Sequence, residues 1–192
     1  FSGAQFIEQM GAIPDVTFED DELGLKVISL RPTDDGQTHR RVTQAVIPTL
    51  RVVPNPRVAQ FAMVETIGWV LPIDNTHFRI YTCGRAREEG YIAKQRSRMN
   101  GKLWEELSEE EHQKFPGDYE AHSGQGDIAS HANENLGQTD TGIVMLRRFL
   151  RKQVEAVAAG DDPVGVSFDE KKLPVKFEAG NWRVEEPYEP KN

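Results

Sequence analysis

The sequence predicts an α+β fold in which a curved antiparallel sheet is followed by one long helix. Two observations carry this. Between residues 23 and 82, β-favouring stretches alternate with clusters of Pro, Asn, Asp and Gly that are too short to contain a crossover helix, so consecutive strands must run antiparallel. From residue 140 to residue 159 the apolar residues instead recur three and four apart, and Gly160 ends the run. That is the pattern of a helix with one buried stripe.

Residues 1–22 are mixed in composition and end in Glu19, Asp20, Asp21 and Glu22, which read as an exposed lead-in to a strand. Little order is expected before Pro14. Residues 23–30, with Val27 and Ile28, form the first strand, and residues 32–38, centred on Asp34-Asp35-Gly36, supply a hairpin turn. The partner strand covers residues 39–53 and is bulged, bent or at an edge where Pro48 interrupts it. Pro54-Asn55-Pro56 turns the chain again. Residues 60–71 are apolar enough for a strand buried on both faces, and residues 72–75 make the next turn. In residues 76–82, Phe78 and Ile80 point one way while His77, Arg79 and Tyr81 point the other. Trp69 and Phe78 are expected in the core.

After Gly84 a polar stretch carries Arg85, Arg87, Lys94, Arg96, Arg98 and Lys102 without a clear period. It reads as a long loop, either a solvated surface or a docking face for another domain or subunit. Leu103-Trp104 and the capping-box pattern from Ser108 to Glu111 mark short helical pieces before Pro116. In the long helix Thr139 or Asp140 is the cap, and Ile143, Leu146, Leu150, Val154 and Val157 make the buried stripe. Arg147, Arg148, Arg151 and Lys152 fall mostly on the solvated side. The tail, with Pro163, Pro174, Pro187 and Pro190, is expected to wrap the surface and to form a short strand near residues 173–177.

A chain of 192 residues with 38% hydrophobic and 28% charged residues has the material for one soluble domain with a full core. No apolar run approaches the roughly 20 residues needed to span a bilayer, and a cytoplasmic location is expected. A net charge of -8 argues against nucleic acid as a partner, because phosphate binding needs a concentrated positive field. Cys83 is the only cysteine, so neither an internal disulfide nor a Cys-based metal centre can be built from this chain. The chain opens on Phe1 without an initiator Met or a signal-peptide pattern, which suggests a fragment.

The candidate site is Phe115-Pro116-Gly117-Asp118-Tyr119-Glu120-Ala121-His122. Pro-Gly breaks the chain, so Asp118 stands at the start of whatever residues 119–122 form. A carboxylate there is a ligand or simply a helix cap. His122 follows four residues later, so on a helix the two would share a face and could touch one metal. His77 and His131 read as a polar strand residue and a loop residue.

Trp69-Val70-Leu71-Pro72-Ile73-Asp74-Asn75-Thr76-His77, Pro116-Gly117-Asp118-Tyr119-Glu120-Ala121, Gly126-Asp127-Ile128-Ala129 and Leu136-Gly137-Gln138-Thr139-Asp140 follow one another in an order and spacing that resembles a known family. It is the C-terminal catalytic half of the large (alpha) subunits of Rieske-type aromatic-ring-hydroxylating oxygenases, those similar to phthalate dioxygenase and its demethylating relatives. The resemblance covers residues 23–165 and implies a helix-grip fold over the single domain 1–192. It also implies a mononuclear non-haem Fe(II) held by two histidines and one carboxylate, with open positions for oxygen. By its place in the motif Asp118 matches the iron-binding aspartate.

The family's [2Fe–2S] cluster and its pair of iron-binding histidines lie upstream of this region. His39, His77, His112, His122 and His131 do not reproduce that pair. The implied partners are an aromatic small molecule, an electron-donating reductase or ferredoxin, and further copies of the subunit in a trimer. Two other readings are a metal-free helix-grip domain that binds a hydrophobic small molecule, and an assembly role for the basic stretch 85–102.

Overall fold

The structure, a computed structural model, describes residues 12–54, 66–84, 101–102, 106–114, 118–172, 176–186 and 188. Six strands come first: β1 (Asp15–Asp21), β2 (Gly24–Pro32), β3 (Thr38–Val46), β4 (Leu50–Val53), β5 (Thr66–Pro72) and β6 (Phe78–Gly84). Helices α1 (Glu109–Lys114), α2 (Asp118–Ser123) and α3 (Thr141–Ala158) follow, and β7 (Gly180–Val184) closes the list. Contacts divide the chain into two compact units, residues 1–5 with 85–135, and residues 6–84 with 136–192.

The larger unit is built on an antiparallel sheet in the order β1-β2-β3-β4-β5-β6. The meander expected from the short turns is present, with two changes at its start. Residues 15–21 are a strand in register with β2 from Asp15↔Leu30 to Asp21↔Gly24, not a lead-in. The acidic run hides this because Glu19 and Asp20 stay exposed. Asp21 in contrast accepts the Leu23 N–H at 3.0 Å and pairs with Lys26 at 3.2 Å. The second change is at Pro48, which makes a turn and not a bulge: the stretch 39–53 splits into β3 and β4, paired at Val46↔Leu50.

β3 has neighbours on both edges. β2 runs along one, while the other is shared, β4 taking Gln44 to Val46 and β7 taking Thr38 to Val42. A tail strand lies at 180–184; of the strand expected near residues 173–177, residues 173–175 fall outside the described residues and 176–177 are not in a strand. Because side chains alternate between faces, this register sends Ile28, Val42, Val46 and Val52 to the same side, where all four are buried. Fully burying an aliphatic side chain contributes about 1.5–3 kcal/mol, so this row is the principal apolar core of the unit.

The tail reaches that core through Gln44, which is 2% exposed. Its Oε1 accepts the N–H groups of Glu178 and Ala179 at 2.6 and 3.1 Å. Gly165 is held at φ 73 with the Ile47 carbonyl so near that a Cβ would lie 1.7 Å from the oxygen, so only glycine passes there.

α3 begins and ends within two residues of the sequence expectation. Its entry is a 3-10 turn over Gln138–Asp140 in which Asp140 Oδ2 accepts the Gly137 N–H at 2.9 Å, and Gly160 follows its end at φ 94. The expected buried stripe is overturned. Ile143, Leu150, Val154 and Val157 are exposed, Leu146 is half-buried, and the one buried residue of α3 is Gly142. The helix meets β1 and β2 at its N-terminal end, where Gly142 lies on the ring of Phe18.

A further correction concerns β5 and β6. Residues 60–71 were expected to be buried on both faces; of these, 60–65 fall outside the described residues, Trp69 and Leu71 are exposed, and Ile67, Gly68 and Val70 are half-buried. Every residue of β6 is exposed, so neither Trp69 nor Phe78 is a core residue. The β5–β6 turn is closed by Asp74, whose Oδ1 accepts the N–H groups of Thr76 and His77, both at 2.8 Å. The Thr76 N–H first, and then the His77 side chain, hold its carboxyl down at about 2.

In the smaller unit the capping box is present as the sequence predicts. Glu111 Oε2 accepts the Ser108 N–H at 2.8 Å and Ser108 Oγ accepts the Glu111 N–H at 3.3 Å. Glu111 also takes Lys102 Nζ at 2.6 Å, and that contact, followed by the Ser108 bond, brings its carboxyl down to about 2. Among the described residues, no helix is long and apolar enough to cross a membrane.

Candidate functional site

Asp118 is the first residue of α2, as the Pro-Gly break before it predicts; residues 115–117 lie outside the described residues. His122 falls in the last turn of the same helix and is exposed. The spacing puts positions 118 and 122 on one face. His112 of α1 meets α2 at Glu120, with Nδ1 3.2 Å from Oε1 and both side chains mostly buried. Position 120 is two residues along from Asp118, on the other side of the helix, so this pair fixes α2 against α1 without joining the 118–122 face.

A two-histidine, one-carboxylate iron centre needs three converging donors. α2 offers a carboxylate position and one imidazole on a shared face. His39 is buried in the sheet of the larger unit, and His77 is engaged with Asp74, Nδ1 to Oδ1 at 3.0 Å. His131 stands exposed in a 3-10 turn, His131–Asn133, close to its expected role as a loop residue. Among the described residues, no three His, Cys, Asp or Glu side chains are grouped to hold a metal ion. The described residues therefore bring together no complete donor set for such a centre.

No family model matches the chain. Its sequence is 37% identical over 182 residues to the phenoxybenzoate dioxygenase subunit alpha of Ectopseudomonas oleovorans, an alignment covering 95% of this chain and 44% of that one. It is 29% identical over 200 residues to the oxygenase subunit of the tert-butanol monooxygenase / tert-amyl alcohol desaturase of Aquincola tertiaricarbonis, covering 90% of this chain and 40% of the other. A shorter match, 40% over 52 residues, joins 27% of the chain to 12% of the 5,5'-dehydrodivanillate O-demethylase oxygenase subunit of Sphingobium sp. (strain NBRC 103272 / SYK-6). These relatives are oxygenase subunits. The chain spans less than half the length of each of them.

A second constellation was not singled out in the sequence. Arg31 on β2 stands opposite His39 on β3, and Ser29 opposite Arg41, so all four side chains share one face of the sheet. Asn181 of β7, opposite Arg41, joins them, and its Oδ1 lies 3.2 Å from His39 Nε2. This is the face that carries Phe18, whose partner Val27 is in step with Ser29. His39 and Asn181 are each 1% exposed and Arg31 is 9% exposed. Burial lowers the pKa of His39, and the charges of Arg31 and Arg41 lower it further. Nothing in the spacing of Arg31, His39 and Arg41 separates them from ordinary polar strand residues; their burial depends on what covers the sheet.

Proposed function

We propose that the chain is the catalytic portion of an oxygenase large subunit that inserts oxygen from O2 into an aromatic compound by ring hydroxylation or O-demethylation. The observation that carries this reading is the alignment of 95% of the chain with one oxygenase alpha subunit and of 90% with another oxygenase subunit. Both compact units then belong to one domain, with the sheet and α3 in a helix-grip arrangement. In the whole protein a mononuclear Fe(II) would supply oxygen activation, fed by electrons from a Rieske [2Fe–2S] cluster and an external reductase or ferredoxin. A trimer of subunits follows from the same resemblance.

Within this reading Asp118 gives the iron its carboxylate, and His122, four residues on, is a candidate second donor. The His112–Glu120 contact holds α2, and with it position 118, against α1. The remaining imidazoles come from outside the described residues. The rival reading, a metal-free domain that binds a hydrophobic small molecule, has in its favour the exposed apolar residues Trp69, Leu71, Phe78 and Ile80 on β5 and β6.

The deciding experiment is Asp118→Ala in the full-length protein. Loss of iron and of O2-dependent turnover, with the spectrum of the distant cluster unchanged, is expected. Normal turnover in that variant would end the assignment, and substrate binding indifferent to iron removal would favour the rival.

A further inference from the structure

We infer that the apolar stripe of α3 and both faces of the β5–β6 hairpin are docking surfaces for the part of the oxygenase subunit that lies outside these 192 residues. The inference rests on the reading that the chain is one portion of such a subunit. Ile143, Leu150, Val154 and Val157 follow one another at a spacing that keeps them on one side of a helix. The side on which Gly142 meets Phe18 is a different one, shared by the half-buried Leu146, Phe149 and Gln153. At about 3.6 residues per turn the two sides stand roughly a quarter turn apart. α3 is therefore apolar over a wider arc than the sheet covers, with Val154 68% exposed, while Arg148 and Lys152 take the wet side. A helix apolar on more than one side is built to be enclosed.

The hairpin has the same property on two faces. Trp69 stands opposite Tyr81, Leu71 follows on the same side, and all three are exposed. Phe78 and Ile80 are exposed on the other face. β6 also ends the strand order, so among the described residues no strand pairs with its outer edge. An open apolar edge strand invites non-specific pairing, and proteins avoid this by covering it.

The layout of these surfaces selects what covers them. They lie on a helix, on two opposite faces of one hairpin and along its edge, all within one compact unit. A small ligand fills a single concave pocket, and a second copy related by a two-fold axis meets one patch with the same patch. A continuous polypeptide can reach all of them. The length for it exists in the relatives, since 95% of this chain aligns with only 44% of the phenoxybenzoate dioxygenase alpha subunit.

The test is photo-cross-linking in the full-length protein, with p-benzoylphenylalanine placed in turn at positions 78, 81 and 154, and at 152 as the solvated control. Peptide mapping is expected to join the first three positions to peptides of the same polypeptide outside residues 1–192, with little product from 152. Cross-links that instead join two copies, that stay within residues 1–192, or that fail to form at all three positions overturn the proposal. If the labelled proteins do not fold, hydroxyl-radical footprinting of the unsubstituted full-length protein decides. Trp69, Phe78 and Tyr81 should be oxidised several-fold more slowly in folded than in urea-unfolded protein, at any protein concentration. Equal rates, or protection lost on dilution, overturn the proposal. Neither readout uses iron or turnover. A normally active Asp118→Ala protein would end the iron assignment and leave the cross-links standing, whereas missing cross-links in a protein that loses iron with Asp118→Ala would strike only this inference.

Discussion

Gly142 of α3 lies on the ring of Phe18 of β1 so closely that a Cβ at position 142 would be 2.2 Å from the ring's Cδ1. An exposed helical Gly→Ala change ordinarily gains up to about 1 kcal/mol in propensity. Here the methyl group has to displace the aromatic ring or lift the helix. Gly142→Ala is therefore expected to destabilise the protein by about 1–3 kcal/mol, read as a lower urea midpoint. Adding Phe18→Leu should recover part of the loss, and a stabilised single variant would show that the helix does not seat on Phe18.

Gln44 is the second point where one side chain holds two parts of the chain. With Gln44→Ala the amides of Glu178 and Ala179 lose their acceptor, and Ala179 is buried. Each unsatisfied buried amide costs about 1–3 kcal/mol. Hydrogen exchange of these two amides should accelerate in the variant by more than that of the Val42 amide does.

His39 makes stability depend on pH. Its folded pKa is lowered from 6.5, first by burial and then by Arg31 and Arg41 against the opposing effect of Asn181. The unfolded chain, with a normal histidine, therefore takes up the proton first as pH falls. His39 contributes fully above 6.5, and its contribution declines between 6.5 and the lower folded value. Urea midpoints measured from pH 7.5 downward should fall below 6.5, and His39→Gln should flatten that slope; an unchanged slope would mean that another group carries it.

Much of the fold was legible where a short-range signal decides the outcome. Asp34-Asp35-Gly36 marked the β2–β3 turn, Ser108 and Glu111 formed the capping box they spelled, and Gly160 ended α3 where expected. What failed depended on distant partners. β7 pairs with β3 from the far end of the chain, Asn181 opposite Arg41 and its side chain against His39, 142 residues away, and no local pattern names that partner. The apolar stripe of α3 was read correctly as a periodicity, but which residues become covered is set by where the sheet touches the helix, and that is at Gly142. Asp118 could be placed at a helix start from Pro-Gly alone, whereas the donors needed to complete a metal centre are not a property of its neighbourhood in sequence.

The shared edge of β3 has a consequence for how the chain is made. Its Gln44 to Val46 end can pair with β4 as soon as Val53 clears the ribosome, but its Thr38 to Val42 end has to wait for Val184. At roughly 5–20 residues per second that delay is on the order of ten seconds. During it, a row of strand N–H and C=O groups is exposed on the nascent chain, open to a chaperone or to the same edge on a neighbouring polysome product.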